Sequence, residues 1–437
     1  MNEPIFIARQ DTLEQEILPA HWLAQYKLFG EESYTFQDKE IWKKLCMSSA
    51  AANDRDIHAE ALEEMLTTFS AEHTGKWMLT VYGMDAAVLE GLASMAAIAA
   101  NGTAMSAVAA NALLMHAIAN SETAMQAISR SQTAMQRIAN SQTAMQRVAN
   151  NRGAMDAICK SKIARDAVQA SPYYNSYIKE NDMAIAKLAV ALANLESAGY
   201  SGMAGVAADS TAMTAVAASA TAMTAVAASS VARNAISASP YYDEKIKEND
   251  MAIAKLVVGF ANLASANYSS MAGVVADATA MTAVAASSTA MTAVAASDVA
   301  LKAIAQAYKN TANMLQFLKA VNASDTLIKR IYNTLTNATA LFGATQLGSQ
   351  DGVESANSWA TTSAAPNAFL ACACGYYSSG GSSVNVTYNG TVIAQNKTGA
   401  KQPGSVTSTN VNAITMAPST FTENGDGYLT VQKFTAK

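Results

Sequence analysis

"SQTAMQRIANSQTAMQRVAN", residues 131–150, is nearly one ten-residue segment written twice. The frame runs in both directions from it. Met95, Met105, Met115, Met125, Met135, Met145 and Met155 are evenly spaced, each followed three residues on by Ile98, Val108, Ile118, Ile128, Ile138, Val148 or Ile158. Within a unit, the Ala, Met, Val or Ile, and Ala positions form one helical stripe. Ten residues advance an α-helix by about 1000°, so the next Met falls roughly 80° from the last. One continuous helix would carry the stripe around its axis, and a coiled coil does not absorb that drift. Breaking the helix once per unit solves the problem. Ser or Thr heads each unit as an N-cap and Asn or Ser closes it in a turn, giving helices of about six or seven residues. Helices that short must stack on neighbours. Met125, Ile128, Met135, Ile138, Met145 and Val148 are then the repeat core. The Met–x–x–Val spacing does not alternate as the rival β-solenoid requires.

A longer period lies over the shorter one. "IARDAVQASPYYNSYIKENDMAIAKL" is followed 68 residues later by "VARNAISASPYYDEKIKENDMAIAKL", and a third copy begins at "VALKAIAQAY" and decays. Nested repeats mark an array rather than a single globular core. Four parts are expected: a helical head at 1–90, a decapeptide array at 91–162, 68-residue modules at 163–342 and a C-terminal β-domain at 343–437. The head is acidic, with 16 acidic and 7 basic side chains. It supplies Trp22, Trp42 and Trp77 for a core of its own. In the tail, "SVNVTYNGTVIAQN" alternates around Asn389-Gly390, a strong hairpin signal. "AFLACACGYYSS" and "GYLTVQKF" read as further strands, giving an antiparallel sandwich. The fold class is therefore multi-domain α plus β: head, short-helix α-solenoid or superhelical rod, and β-sandwich.

Composition restricts function. Of the 437 residues, 51% are apolar, 7% aromatic and 14% charged, with a formal charge of −5. That balance argues against a chain built to grip nucleic acid. Polar residues interrupt the Ala-rich stretch 91–119, so no membrane insertion is expected. The first residues lack a basic and apolar leader pattern, so no secretory signal is expected. All four histidines precede residue 117, none at metal-ligand spacing, and no nucleophile, zinc-protease or dinucleotide motif is present. No catalytic residue, metal site or cofactor is assigned.

Each remaining motif has a plainer reading beside the functional one. Cys372 and Cys374 share one strand face and read as core rather than zinc ligands. "ENGDGY" (Glu423–Tyr428) lacks full calcium-loop spacing and reads as a Gly-rich hairpin turn. Arg130, Arg137, Arg147 and Arg152 lack aromatic neighbours for stacked bases and read as a solvated ridge. The twin "SPYY" motifs (Tyr173, Tyr174, Tyr241, Tyr242) recur at one place in each module and read as a joint. Trp359, Tyr376, Tyr377 and Tyr388, with Asn389 beside them, are candidates for an exposed receptor-binding patch, with core positions as the alternative.

The "TAMTAVAAS" arrays and the closing "ACACGYYSSGGSSVNVTYNGTVIA" and "GDGYLTVQKF" resemble virion appendage proteins of tailed bacteriophages, tail fibres above all, over residues 91–437. The resemblance implies an N-terminal domain docked to other virion proteins, a spacer and a β-tip that touches a host-surface glycan or protein. It also implies a homo-oligomer, commonly a trimer, located in the virion. A capsid decoration or baseplate-associated protein without receptor binding stays open, as does a bacterial surface adhesin.

Overall fold

The computed structural model describes residue 92 and residues 95–351, 357–361, 366–376, 381–401, 405–425 and 427–437. The expected head at 1–90, with Cys46 and the first three histidines, lies outside the described residues. The chain is mixed α and β, with 22 helices among the described residues of the middle region and sheets toward the C-terminus. It divides into two compact units between Gly205 and Val206.

The first unit contains α1 (Met95–Ala100), α2 (Gly102–Ala110), α3 (Ala112–Asn120), α4 (Glu122–Arg130), α5 (Gln132–Ala139), α6 (Gln142–Ala149), α7 (Arg152–Lys160), α8 (Lys162–Gln169), α9 (Tyr174–Tyr177) and α10 (Asp182–Leu192). From α2 to α8 the helices hold eight or nine residues of each ten, more than the six or seven expected. The break is so short because a single extended residue turns the chain, as Ser131 does at φ −95° and ψ 118°. Each helix from α1 to α7 packs on the one three places further along. Met125, Ile128, Met135, Ile138, Met145 and Val148 are all fully buried.

The cap side chain works in two directions. Ser141 Oγ accepts from the N–H of Ala144 at 3.2 Å, closing its own helix start. The same hydroxyl donates at 2.5 Å to the carbonyl of Ala109, near the end of α2, four places back from the helix it caps. Ser131 repeats this with Ala99, Ser161 with Ser129 and Ser171 with Ala139, each 32 residues apart. Asn181 does so through its amide, donating to Ala149 at 3.2 Å. One short side chain thereby satisfies an orphan donor at one helix end and an orphan carbonyl at another.

The second unit begins in α11 (Met203–Ala208) and continues through α12 (Ser210–Ala218), α13 (Ala220–Ala228), α14 (Ser230–Ser237), a π-helix (Tyr242–Lys247), α15 (Asp250–Phe260), α16 (Met271–Ala276), α17 (Ala278–Ala286), α18 (Ser288–Ala296) and α19 (Asp298–Gln306). Successive helices bend sharply, by 100° from α12 to α13 and 102° from α17 to α18. No single described helix is long and apolar enough to cross a membrane. Caps fall at Asp209, Ser219, Ser229 and Asn249, then at Asp277, Ser287 and Ser297. The 68-residue period is thus four tens and a 28. The 28 holds the eleven-residue α15, a left-handed turn at Asn262 (φ 58°) and α16. Gly259 is required where α15 meets α13, because a Cβ there would lie 2.3 Å from the Ala227 carbonyl oxygen.

Two longer helices, α20 (Thr311–Asn322) and α21 (Asp325–Asn337), lead into the strands. These are β1 (Phe342–Asp351), β2 (Asn357–Thr361), β3 (Ala368–Tyr376), β4 (Ser382–Tyr388), β5 (Thr391–Thr398), β6 (Ala400–Lys401), β7 (Ala413–Met416), β8 (Ser419–Gly425) and β9 (Gly427–Ala436). One sheet runs β1-β9-β3-β6, with β7 also on β3, and the other runs β2-β8-β4-β5. Pairing is antiparallel apart from the two-residue β6, which lies parallel to β3 and departs from a wholly antiparallel domain. The expected hairpin joins β4 to β5, with Asn389 at φ 48° and Gly390 at φ 76°. The "ENGDGY" segment is not a hairpin: β8 and β9 belong to different sheets, so the chain changes sheet there.

Helices and sheets share a core. One buried cluster extends from Ile253 to Phe434. Phe317 of α20 lies 6.4 Å from Phe369 of β3, and Tyr332 of α21 meets Phe434 of β9 edge-on at 5.7 Å. The buried Asn322 amide donates to the carbonyl of Ile414 at 2.7 Å and accepts from its N–H at 3.1 Å. Asn322 therefore pairs with β7 as a neighbouring strand would.

Candidate functional site

The candidate receptor-patch residues occupy different environments. Tyr388 is fully buried, because β4 alternates and places Ser382, Val384, Val386 and Tyr388 on the inner face. Burial pushes its hydroxyl up to about 12. Asn389 is exposed, but its left-handed backbone gives it a turn role. Tyr376 is half-buried at the end of β3, opposite Gly427. Trp359 lies on β2 opposite Phe421. Tyr377 lies outside the described residues.

Cys372 and Cys374 are fully buried thiols within β3, and burial raises the Cys372 thiol. Among the described residues, no group of three or more His, Cys, Asp or Glu side chains is placed to hold a metal ion. Arg130, Arg137 and Arg152 are exposed and Arg147 is half-buried. Arg152 donates to the Ala198 carbonyl at 2.8 Å.

The SPYY segments each take the place of one decapeptide, and their tyrosines are half-buried. Tyr173 packs on Tyr177 with ring centroids 6.5 Å apart. The Tyr177 hydroxyl accepts from Gln142 Nε2 at 2.8 Å. Burial, and then Glu180, push the Tyr174 hydroxyl up to about 12. Tyr242 shifts to the same value through burial, Asp243 and Glu248.

The chemically unusual groups are two lysines that sequence reasoning passed over. Lys187 of α10 is fully buried, and its ammonium meets Asp156 of α7 at 2.5 Å and the carbonyls of Ser197 and Ala198 at 3.1 and 3.3 Å. Lys255 of α15 holds the same place one module later, 2% exposed, on the carbonyls of Ser265 and Ala266 at 2.9 and 3.2 Å. The residue 68 places after Asp156 is Thr224, so the carboxylate of the first module has no counterpart at that position. Both lysines stand within apolar runs, "DMAIAKLAVAL" and "DMAIAKLVVGF", and a charge in such a run was the available signal. Beside the first pair, burial pushes the Cys159 thiol up to about 12.

Burial lowers the Lys255 pKa below the ordinary 10.5. Native Lys255 therefore gives up its proton before the unfolded chain does. Stability contributed by this group rises as pH climbs through the interval ending at 10.5 and is flat below it. Lys255→Met should leave stability at pH 7 unchanged or raise it by up to about 1 kcal/mol. It should also remove that part of the alkaline rise, measured as denaturation midpoints between pH 7 and 10.5.

No known protein family matches the chain, and no curated protein does.

Proposed function

We propose that the chain is a structural virion protein of tail-fibre type. Its short helices form an α-solenoid spacer, docked to the particle through residues before the array. Its two sheets form a β-sandwich that contacts a host-surface glycan or protein. The observation that carries this reading is the core shared by α20, α21 and both sheets. A sandwich welded to the last helices keeps a fixed direction, as a spacer that presents a binding surface requires. The resemblance of the arrays and the closing strands to phage appendages supports the same reading. Several such chains on one particle would convert weak single contacts into long residence.

The test uses fluorescently labelled full-length chain on a panel of bacterial strains, with unlabelled chain as competitor and sedimentation velocity for its mass. Saturable, competed binding to at least one strain by a homo-oligomer is the expected result. A chain that binds no strain contradicts receptor binding and favours the decoration or baseplate role.

A further inference from the structure

The groove between α4 and α7 encloses about 440 Å³, within the range of small-molecule sites, roughly 300–1,000 Å³. Glu122, Gln126, Arg152, Gly153, Asp156 and Lys160 line it. Gly153 breaks the pattern of the array. Thr123, Thr133 and Thr143 hold the same place in the three preceding units. Packing does not demand the glycine, since a Cβ at 153 would meet only Asn151 Oδ1, at an ordinary 3.5 Å. A glycine in the first turn of α7 loses more backbone freedom on folding than a threonine would. The repeat thus departs from its own rule in the direction that widens this groove.

The lining selects the ligand class. Arg152 and Lys160 stand against Glu122, and Lys187 already neutralises Asp156, so the groove carries one excess positive charge beside an open carboxylate, and a multiply charged anion meets repulsion from Glu122. Glu122 accepts one bond, from Gln126 Nε2 at 2.9 Å, and a carboxylate has further lone pairs to offer. Arg152 gives Ala198 one bond and carries five N–H donors. A hydroxyl both donates to a carboxylate and accepts from a guanidinium, so adjacent hydroxyls satisfy both walls at once. We infer that this groove binds a short neutral saccharide through its hydroxyls. The site is on the helical array of the first unit and does not depend on the proposed role of the β-domain.

The experiment is saturation-transfer NMR on the full-length chain with glucose, galactose, N-acetylglucosamine and their disaccharides. At least one of these sugars should receive saturation. Gly153→Thr, which restores the repeat consensus, should weaken that sugar about tenfold by filling the groove, without lowering Tm. Glu122→Gln, an exposed change, should weaken it about fivefold. No transfer to any sugar in the panel would overturn the proposal. So would equal binding by the parent and both variants, which would place the sugar elsewhere on the chain.

Discussion

Asp156→Asn should destabilise the first unit by about 3 kcal/mol, the lower end of the usual cost of stranding a buried charge. Lys187 is fully buried and its remaining partners are two backbone carbonyls. Carbonyl dipoles orient the ammonium without neutralising it, so removing the carboxylate leaves a desolvated cation. The pair itself need not be a net stabiliser, because both ions also lose water on folding. Asp156→Asn combined with Lys187→Met should accordingly recover most of the loss. Denaturant midpoints of the two single variants and the double variant measure this directly. A loss under about 1 kcal/mol for Asp156→Asn would show that the ammonium is not stranded by the change. The second module performs the comparison naturally, since Lys255 is buried with no counterpart of Asp156 and its pKa falls.

Ser141→Ala should cost about 2 kcal/mol, from two sources. Losing an N-cap costs about 1 kcal/mol, and stranding the Ala109 carbonyl adds at least about 1 kcal/mol. Ser141→Asp separates them: a carboxylate still caps Ala144 but cannot donate to Ala109, so about half the loss should remain. Because a repeat array need not unfold in one step, hydrogen exchange is the better readout. Amides of α6 should exchange about thirtyfold faster in the alanine variant. An aspartate variant as stable as the parent would mean that the hydroxyl-to-carbonyl link contributes nothing. The caps at Asp209 and Asp277 mark the limit of the device. Asp277 caps Thr279 and Ala280 and itself accepts from the Tyr268 hydroxyl at 2.8 Å.

The decapeptide array was the most legible part of the chain. Ten residues rotate an α-helical stripe off its face, so one break per unit followed from spacing alone. The length of the helices did not, because nothing in "SQTAMQRIAN" announces that a single extended serine suffices to turn the chain. The second bond of that serine was hidden for a related reason. Its acceptor lies 32 residues back, a partner defined only once the bend sets three helices to a turn. For Tyr388 the core alternative was the legible one: Val384, Val386 and Tyr388 alternate, and alternation places all three inside. The change of sheet between β8 and β9 was hidden, since glycines permit a tight turn without fixing its partner strands. The groove at Gly153 showed in sequence only as a missing threonine. Its significance depends on α4 and α7 being neighbours.

The stacking of each helix on the third one along is best tested by one distance. Ser106 of α2 and Asp166 of α8 are exposed, and α5 packs on both α2 and α8. Both sites are changed to cysteine for spin labels, with Cys46 replaced by serine; Cys159, Cys372 and Cys374 are buried. Two helix-to-helix steps of about 10 Å each place the labels about 20 Å apart. A distance distribution by pulsed electron resonance centred there is the expected result. A continuous helix across the same 60 residues would separate them by about 90 Å, and a distance near that value would contradict the stacked array.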